Sequence, residues 1–211
     1  MRTKKAEKRR QEVWILVLAA GYSRRMGQQK LLLPFNGETL IRFLVTRLLA
    51  TSADGIVIVT NSECPKVKLE VRDLPVVVLE NHQPYKGMSS SLKMGIHYLK
   101  QRKVGVAVIV LGDQPFIRLQ MIDRLIKQYK DKKDQILQPI YKTKPSHPVL
   151  FSFHWFSEIL KLEGDEGAKT ILKYNQEKVN RIKVDFEEPR DLDRMTDYEE
   201  LLVFGKKHGF L

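Results

Sequence analysis

Apolar and polar positions along this chain follow two different periods. Unbroken apolar runs fall at Val13 to Leu18, Ile56 to Val59, Val76 to Leu79 and Val106 to Leu111. Short runs of this kind, bounded by turn residues, read as strands covered on both faces. Between them the spacing becomes helical. Leu40, Ile41, Leu44, Val45, Leu48 and Leu49 share one face of a helix over about 40–50, with Thr39 placed to cap it. A short helix over 63–72 starts after Pro65, and a longer one runs from about Ser90 to Gln101. Met121, Ile122, Leu125, Ile126 and Tyr129 mark an amphipathic helix from Arg118 to Lys130. Then come a strand at Ile136 to Tyr141, a short helix over 153–162, and a helix ending at Tyr174. Val179 to Val184 alternates apolar with polar, which suits an edge strand. Strands alternating with helices predict an α/β fold, Rossmann-like and three-layered, with a mostly parallel central sheet.

The length of 211 residues suits one such domain, placed at 12–203 between a basic tail over 1–11 and a short C-terminal tail over 204–211. No stretch reaches the ~18 apolar residues of a membrane span. The basic start is followed by an apolar run only as far as Ala20, and Gly21-Tyr22-Ser23-Arg24-Arg25 is a poor signal-peptidase site, so the run is better used as a core strand. Cys64 is the single cysteine, so no intrachain disulfide can form, which fits a reducing cytoplasm. The net charge of +12 raises nucleic-acid binding as a function class. Yet residues 1–10 alone hold six basic side chains against Glu7, and neither a recognition-helix motif nor an aromatic-basic sheet signature is present. The expectation is therefore no nucleic acid and no membrane, with the positive excess serving phosphate-bearing small molecules.

The chemistry concentrates at residues 13–33. The first strand turns through Ala19, Ala20 and Gly21 into a loop carrying Ser23, Arg24, Arg25, Gly27 and Lys30. Small residues let a ligand approach the backbone, and free N–H groups in such a turn cradle phosphate oxygens. Arg25 offers a planar fork and Lys30 a point charge. The stretch has neither the P-loop nor the GxGxxG pattern, so a polyphosphate site or a plain solvated turn would both fit it. Two later features are two-sided as well. Ser89, Ser90 and Ser91 stand at a helix start, where hydroxyls serve as caps or meet a base edge or an anion. Asp113 follows Gly112 at the end of the most apolar strand, as turn chemistry or as a cation ligand. His147-Pro148 by itself reads as a surface turn. Asp165 after Gly164 suits a helix cap, and Asp197 suits an early helical position.

LAAGYSRRMGQQKLLLP resembles the opening signature LAAGxSxRMGxxKLLLP of the molybdenum cofactor cytidylyltransferases. The likeness continues from about Val13 to Leu202. Tyr85, Gly87, Met88, Ser90, Ser91 and Leu92 match the loop N-x-x-(W/Y)-x-x-G-M-x-S-S-L, and LGDQP at 111–115 resembles the family's metal-binding aspartate motif. Asp191, Asp193, Asp197 and Tyr198 match D-I-D-T-P-E-D-Y, although Arg194-Met195 replaces Thr-Pro and demands another helix cap. Lys142 to Ser146 stands where glycines are usual, which weakens any inference about backbone contacts there.

The resemblance implies a nucleotidyltransferase fold and transfer of CMP from CTP to molybdopterin, with release of pyrophosphate. Arg25, Lys30 and Asp113 would be catalytic. Leu18, Ala19, Ala20, Gly21, Ser23, Arg25, Lys30, Ser89, Ser90, Ser91 and Gly112 would bind the nucleotide. Asp113 and Asp193 would hold Mg²⁺, or Mn²⁺, and His147, Pro148, Gly164 and Asp165 would meet the acceptor. The product would pass to a molybdenum hydroxylase apoenzyme, such as xanthine dehydrogenase, or to its chaperone. LAAG rather than LAGG favours CTP over GTP, which puts Ala20 beside the base. Guanylyl transfer to the same acceptor, transfer to a sugar or polyol phosphate, and a non-catalytic cofactor carrier are the alternatives.

Overall fold

In the computed structural model the described residues are 12–129, 135–142, 144–165, 167–207 and 209. The expected basic tail over 1–11 and charged loop over 130–134 lie outside them. Strand β1 (Val13–Ala19) is followed by a small hairpin, β2 (Pro34–Phe35) and β3 (Glu38–Thr39), and by helix α1 (Leu40–Leu48). Next come β4 (Gly55–Asn61), α2 (Pro65–Leu69), β5 (Val77–Asn81), α3 (Met88–Gln101), β6 (Val106–Leu111) and α4 (Leu119–Gln128). The last part holds β7 (Ile136–Tyr141), β8 (Lys144–Pro145), β9 (Val149–Ser152), α5 (Phe156–Ile159), α6 (Lys169–Tyr174), β10 (Val179–Val184) and α7 (Met195–Lys207).

Among the described residues the main sheet has the order β10-β7-β9-β6-β1-β4-β5, with β8 paired to β7. β1 runs parallel to both β4 and β6, β4 to β5, and β7 to β10. The edge position expected for Val179 to Val184 is where β10 lies. β9 departs from the predicted pattern. It inserts antiparallel between β6 and β7, and its four residues are all buried, so no alternation marked it as a strand. The turn at Asn36-Gly37 closes the β2–β3 hairpin with both residues at positive φ, the geometry that makes Asn-Gly a hairpin signal.

Successive side chains of β1 enter opposite cores, as the strand period requires. Val13, Ile15 and Val17 pack with Ile41, Leu44 and Leu48 of α1 and with Met121, Ile122 and Leu125 of α4. Trp14 and Leu16 pack on the other face with Leu92, Ile96 and Leu99 of α3 and with Phe156 and Ile171. Thr39 caps α1 as expected, accepting from the Arg42 N–H. A third cluster joins Met26, Leu33, Phe35, Leu40 and Phe43 to Leu192, Tyr198 and Leu201, fixing the C-terminal segment against the loop after β1. Helix α7 continues to Lys207, past the expected domain end at 203, with the Phe204 ring 4.9 Å from that of Phe116. No described helix is long and apolar enough to cross a membrane.

Candidate functional site

Strand order reverses at β1, which has β4 on one side and β6 on the other. Ligands of open α/β sheets bind at such a switch point, beyond the carboxyl ends of the strands. A cleft of about 410 Å³ opens there. The end of β1 at Leu18 and Ala19 with Ala20 just after it, the end of β6 at Leu111 with Asp113 just beyond, and the loop residues Gly21 to Arg25 and Lys30 line it. Tyr85, Gly87, Met88 and Ser91 form another wall, with Asp165 and Asp193.

The loop after β1 is held by its own side chains. Ser23, at a left-handed φ of 54°, donates its hydroxyl to Gln29 Oε1 and accepts from the Lys30 N–H. Gln29 Nε2 donates to the Gly21 carbonyl. Ser23 thus shapes the loop and spends its hydroxyl inside it. Gln29 does as much work there, and nothing in its residue type marked it in the sequence.

This scaffold places two cations against two carboxylates. Lys30 Nζ donates to Asp113 Oδ2 at 2.7 Å, to the Leu192 carbonyl at 2.6 Å and to Asp193 Oδ1 at 3.4 Å. Arg25 Nη1 lies 3.1 Å from Asp193 Oδ2. The Lys30 side chain is 12% exposed and that of Arg25 74%, so the lysine is fixed and the arginine stands on the rim. Arg24 stacks over Tyr22, 4.9 Å from its centroid, and is not part of this network.

Asp193 is carried in by its neighbours. Leu192 is buried and its N–H donates to the Asp113 carbonyl, which ties the two aspartate segments together. The cap that Arg194-Met195 could not supply comes from Asp197. Its Oδ2 accepts from the N–H groups of Asp193 and Arg194 at 2.8 and 2.7 Å. Tyr198 donates its hydroxyl to the Pro34 carbonyl. Asp191 faces away from the cleft into a second hollow of about 360 Å³ with Arg118, Lys144 and Ser146. Gln114, itself buried, donates to Asp191 at 2.8 Å. Burial pushes the Asp191 carboxyl above its ordinary range; the Gln114 bond opposes this, and the charges of Asp113 and Asp193 reinforce it.

Several expected site residues stand off the cleft wall. Gly112 lets the ends of β1 and β6 meet: its N–H donates to the Leu18 carbonyl at 2.9 Å, and a Cβ there would also lie 2.9 Å from that oxygen. Of the three serines only Ser91 lines the cleft. Ser89 is buried and its amide donates to the Gly164 carbonyl. The Ser90 hydroxyl donates to the Gly87 carbonyl, and Asn81 Nδ2 donates to both Ser90 and Ser91. Gly164 and Asp165 pack beside Gly87, while the Tyr141 hydroxyl donates to the His147 carbonyl. Burial pulls the His147 imidazole down to about 4, and the Asp113 charge acts against that shift. His147 is therefore neutral near pH 7 and within electrostatic reach of Asp113.

Asp113 and Asp193 offer hard carboxylate oxygens on either side of one ammonium. That donor set fits a divalent cation such as Mg²⁺ or Mn²⁺, which takes one or two carboxylates and completes its shell with phosphate oxygens and water. Among the described residues no group of three or more His, Cys, Asp or Glu forms an all-protein metal cage.

A family model described as the MobA-like NTP transferase domain matches residues 15–180, which span β1, the cleft loops, Asp113 and the sheet as far as β10. The chain belongs to the MobA-like NTP transferase family. It is 28% identical over 168 residues to the purine catabolism protein PucB of Bacillus subtilis, covering 75% of this chain and 80% of that one. A probable molybdenum cofactor guanylyltransferase of Pyrococcus horikoshii is 30% identical over 146 residues, covering 68% and 71%. Among solved structures, a homologue of Mycobacterium tuberculosis Rv0371c from Mycobacterium sp. strain JC1 superposes with a TM-score of 0.81 at 28% identity, covering 94% of this chain and 98% of that chain. A manganese complex of Rv0371c superposes at 0.74 with 23% identity, covering 90% and 98%. The MobA-like family model ends before Asp193, and the tie between Leu192 and Asp113 is what brings that carboxylate into the cleft.

Proposed function

We propose that this chain transfers CMP from CTP to the phosphate of molybdopterin and releases pyrophosphate. An acceptor phosphate oxygen attacks the α-phosphorus, a new P–O bond forms, and the bond to the bridging oxygen breaks, so pyrophosphate leaves with the electron pair. The acceptor is already an anion near neutral pH and needs no strong base. The difficulty is to hold two anions together and to stabilise charge at phosphorus.

The observation that carries this reading is the Lys30 ammonium between Asp113 and Asp193, at the mouth of a cleft headed by Ala19, Ala20 and Gly21. Lys30 and Arg25 bind and orient the triphosphate, and Lys30 stabilises the departing pyrophosphate. Asp113 and Asp193 would hold a divalent cation, which supplies charge neutralisation at the phosphate oxygens when bound. Ala20 is buried and lines the cleft, and its methyl narrows the space offered to a base, which supports CTP. The relative named as a guanylyltransferase supports GTP as the second reading.

The deciding experiment is pyrophosphate release with each of the four triphosphates, with and without molybdopterin. Release with CTP that depends on molybdopterin is the expected result. A GTP preference overturns the base assignment, and release with a sugar phosphate but not with molybdopterin overturns the acceptor.

A further inference from the structure

An ammonium has three N–H donors. Lys30 has three acceptors: Asp113 Oδ2 at 2.7 Å, the Leu192 carbonyl at 2.6 Å and Asp193 Oδ1 at 3.4 Å. The other Asp193 oxygen is held by Arg25 at 3.1 Å. Two carboxylates and two cations leave this set electrically balanced, with no donor of Lys30 turned to a ligand. From the set we infer that Lys30 is a resident counter-cation that makes divalent-metal binding conditional on the triphosphate.

A divalent ion arriving alone meets carboxylates that are already neutralised, and it adds charge beside two fixed cations. A triphosphate reverses this balance. It gives Lys30 and Arg25 anionic oxygens to hold, which frees Asp193 to join Asp113 in holding the metal. Lys30 gives up its longest contact, to Asp193, and keeps the two short ones. Arg25, on the solvent-facing rim, swings without disturbing the core. Metal and triphosphate therefore bind with positive coupling, and each strengthens the other by the same factor. The inference rests on the proposed triphosphate site and concerns its order of assembly.

The test uses the full chain and Mn²⁺, with protein-bound ion read by water-proton relaxation enhancement. Mn²⁺ binding is measured alone, with the non-cleavable α,β-methylene-CTP, and with inorganic tripolyphosphate. In the wild type either polyphosphate is expected to tighten Mn²⁺ by at least about tenfold. Lys30→Met keeps the aliphatic stem and removes the ammonium. It is expected to bind Mn²⁺ alone about tenfold tighter than the wild type, with most of the coupling lost. Arg25→Ala alters an exposed side chain and so leaves folding intact; it should shift affinity the same way by less. Asp193→Asn added to Lys30→Met should abolish the gain, which locates the ion. Equal wild-type affinity with and without polyphosphate overturns the inference, as does an unchanged Mn²⁺ affinity in both cation variants. If tripolyphosphate tightens Mn²⁺ and the nucleotide does not, the coupling stands and the nucleotidyl-transfer reading fails.

Discussion

The Lys30 ammonium lies 2.7 Å from the Asp113 carboxylate, although the two residues are 83 positions apart in the chain. The contact joins the loop after β1 to the end of β6, which are adjacent strands in the sheet. The pair is only partly shielded, with side chains 12% and 25% exposed, so its contribution to stability is modest, about 1 kcal/mol. Under the proposed function its contribution to catalysis is larger, because Lys30 is a fixed charge beside the proposed triphosphate site.

Lys30→Ala is accordingly expected to cost about 3 kcal/mol of transition-state stabilisation, roughly a hundredfold in turnover. The melting temperature should fall by only a few degrees, in line with a loss of about 1 kcal/mol. Pyrophosphate release at saturating triphosphate and a circular dichroism melt check the two halves. Turnover within about threefold of wild type would sink the assignment of Lys30.

Gly87 makes a second prediction. Its φ is +85°, and a Cβ there would lie 2.4 Å from the Gly164 carbonyl carbon and oxygen and 2.5 Å from Asp165 Oδ1. Backbone has to move to admit a methyl group. Gly87→Ala should lose about 2 kcal/mol, from an unfavourable backbone conformation and overpacking together. It should also raise the KM for triphosphate, since Gly87, Met88 and Ser91 share one wall. Gly21→Ala is the control for stability: a Cβ at Gly21 meets nothing within 4 Å, and its expected change is within about 0.5 kcal/mol. Equal melting temperatures for the two variants would refute the packing argument.

The centre of the sheet was legible because β1, β4 and β6 are covered on both faces and read as continuous apolar runs. Val106 to Leu111 is bounded in the structure as it is in the sequence. β9 was not legible, since a four-residue buried segment after His147-Pro148 carries no period of its own. At the site, Lys30, Arg25, Asp113 and Asp193 converge as the motifs implied. Their separation of roles did not show in the sequence. Ser90 and Gly112 match motif positions, yet they and the neighbouring Ser89 spend their atoms on backbone contacts, which only the packing of β1 on β6 and of Gly87 on Gly164 reveals. A signal for the third cluster was present and unused: Asp191-Leu192-Asp193 has period two, and Leu192 is buried while both acids flank separate hollows.

His147 gives a pH prediction. Burial lowers its imidazole to about 4, from an ordinary value of about 6.5. Between those values the unfolded chain binds more protons than the folded one, so stability rises with pH through that window and is fully present above it. The loss on acidification is on the order of 2 kcal/mol, discounted because the ring keeps some solvent contact. Urea unfolding near pH 7 and near pH 4.5 should show a smaller drop for His147→Gln than for the wild type. Parallel pH profiles for the two proteins would remove His147 as the source.

Asp197 acts through Asp193. It accepts from two N–H groups at the start of α7, one of them the Asp193 amide. Asp197→Ala should lose about 1 kcal/mol, as a lost cap does. It should also weaken Mn²⁺ binding in the presence of triphosphate, because Asp193 loses its backbone anchor, whereas Asp197→Asn should recover much of both. An alanine variant with lowered melting temperature but normal Mn²⁺ affinity would leave Asp197 as a helix cap and nothing more.

Ala20 tests the choice of base. It is buried just after β1 and lines the cleft, so under the proposed function its methyl occupies volume beside the base. A single methyl group in a pocket discriminates by about 1–3 kcal/mol. Ala20→Gly enlarges the space and should move the ratio of kcat/KM for CTP to that for GTP toward GTP by about tenfold. Most of the shift should come from faster use of GTP, since removing a clash does little for the smaller pyrimidine. The measurement is pyrophosphate release across both triphosphates, with melting temperatures recorded to show that the variant is folded. A ratio that stays fixed, or that falls only because CTP is used more slowly, removes Ala20 from base selection and leaves it as a small residue that lets the backbone approach its ligand.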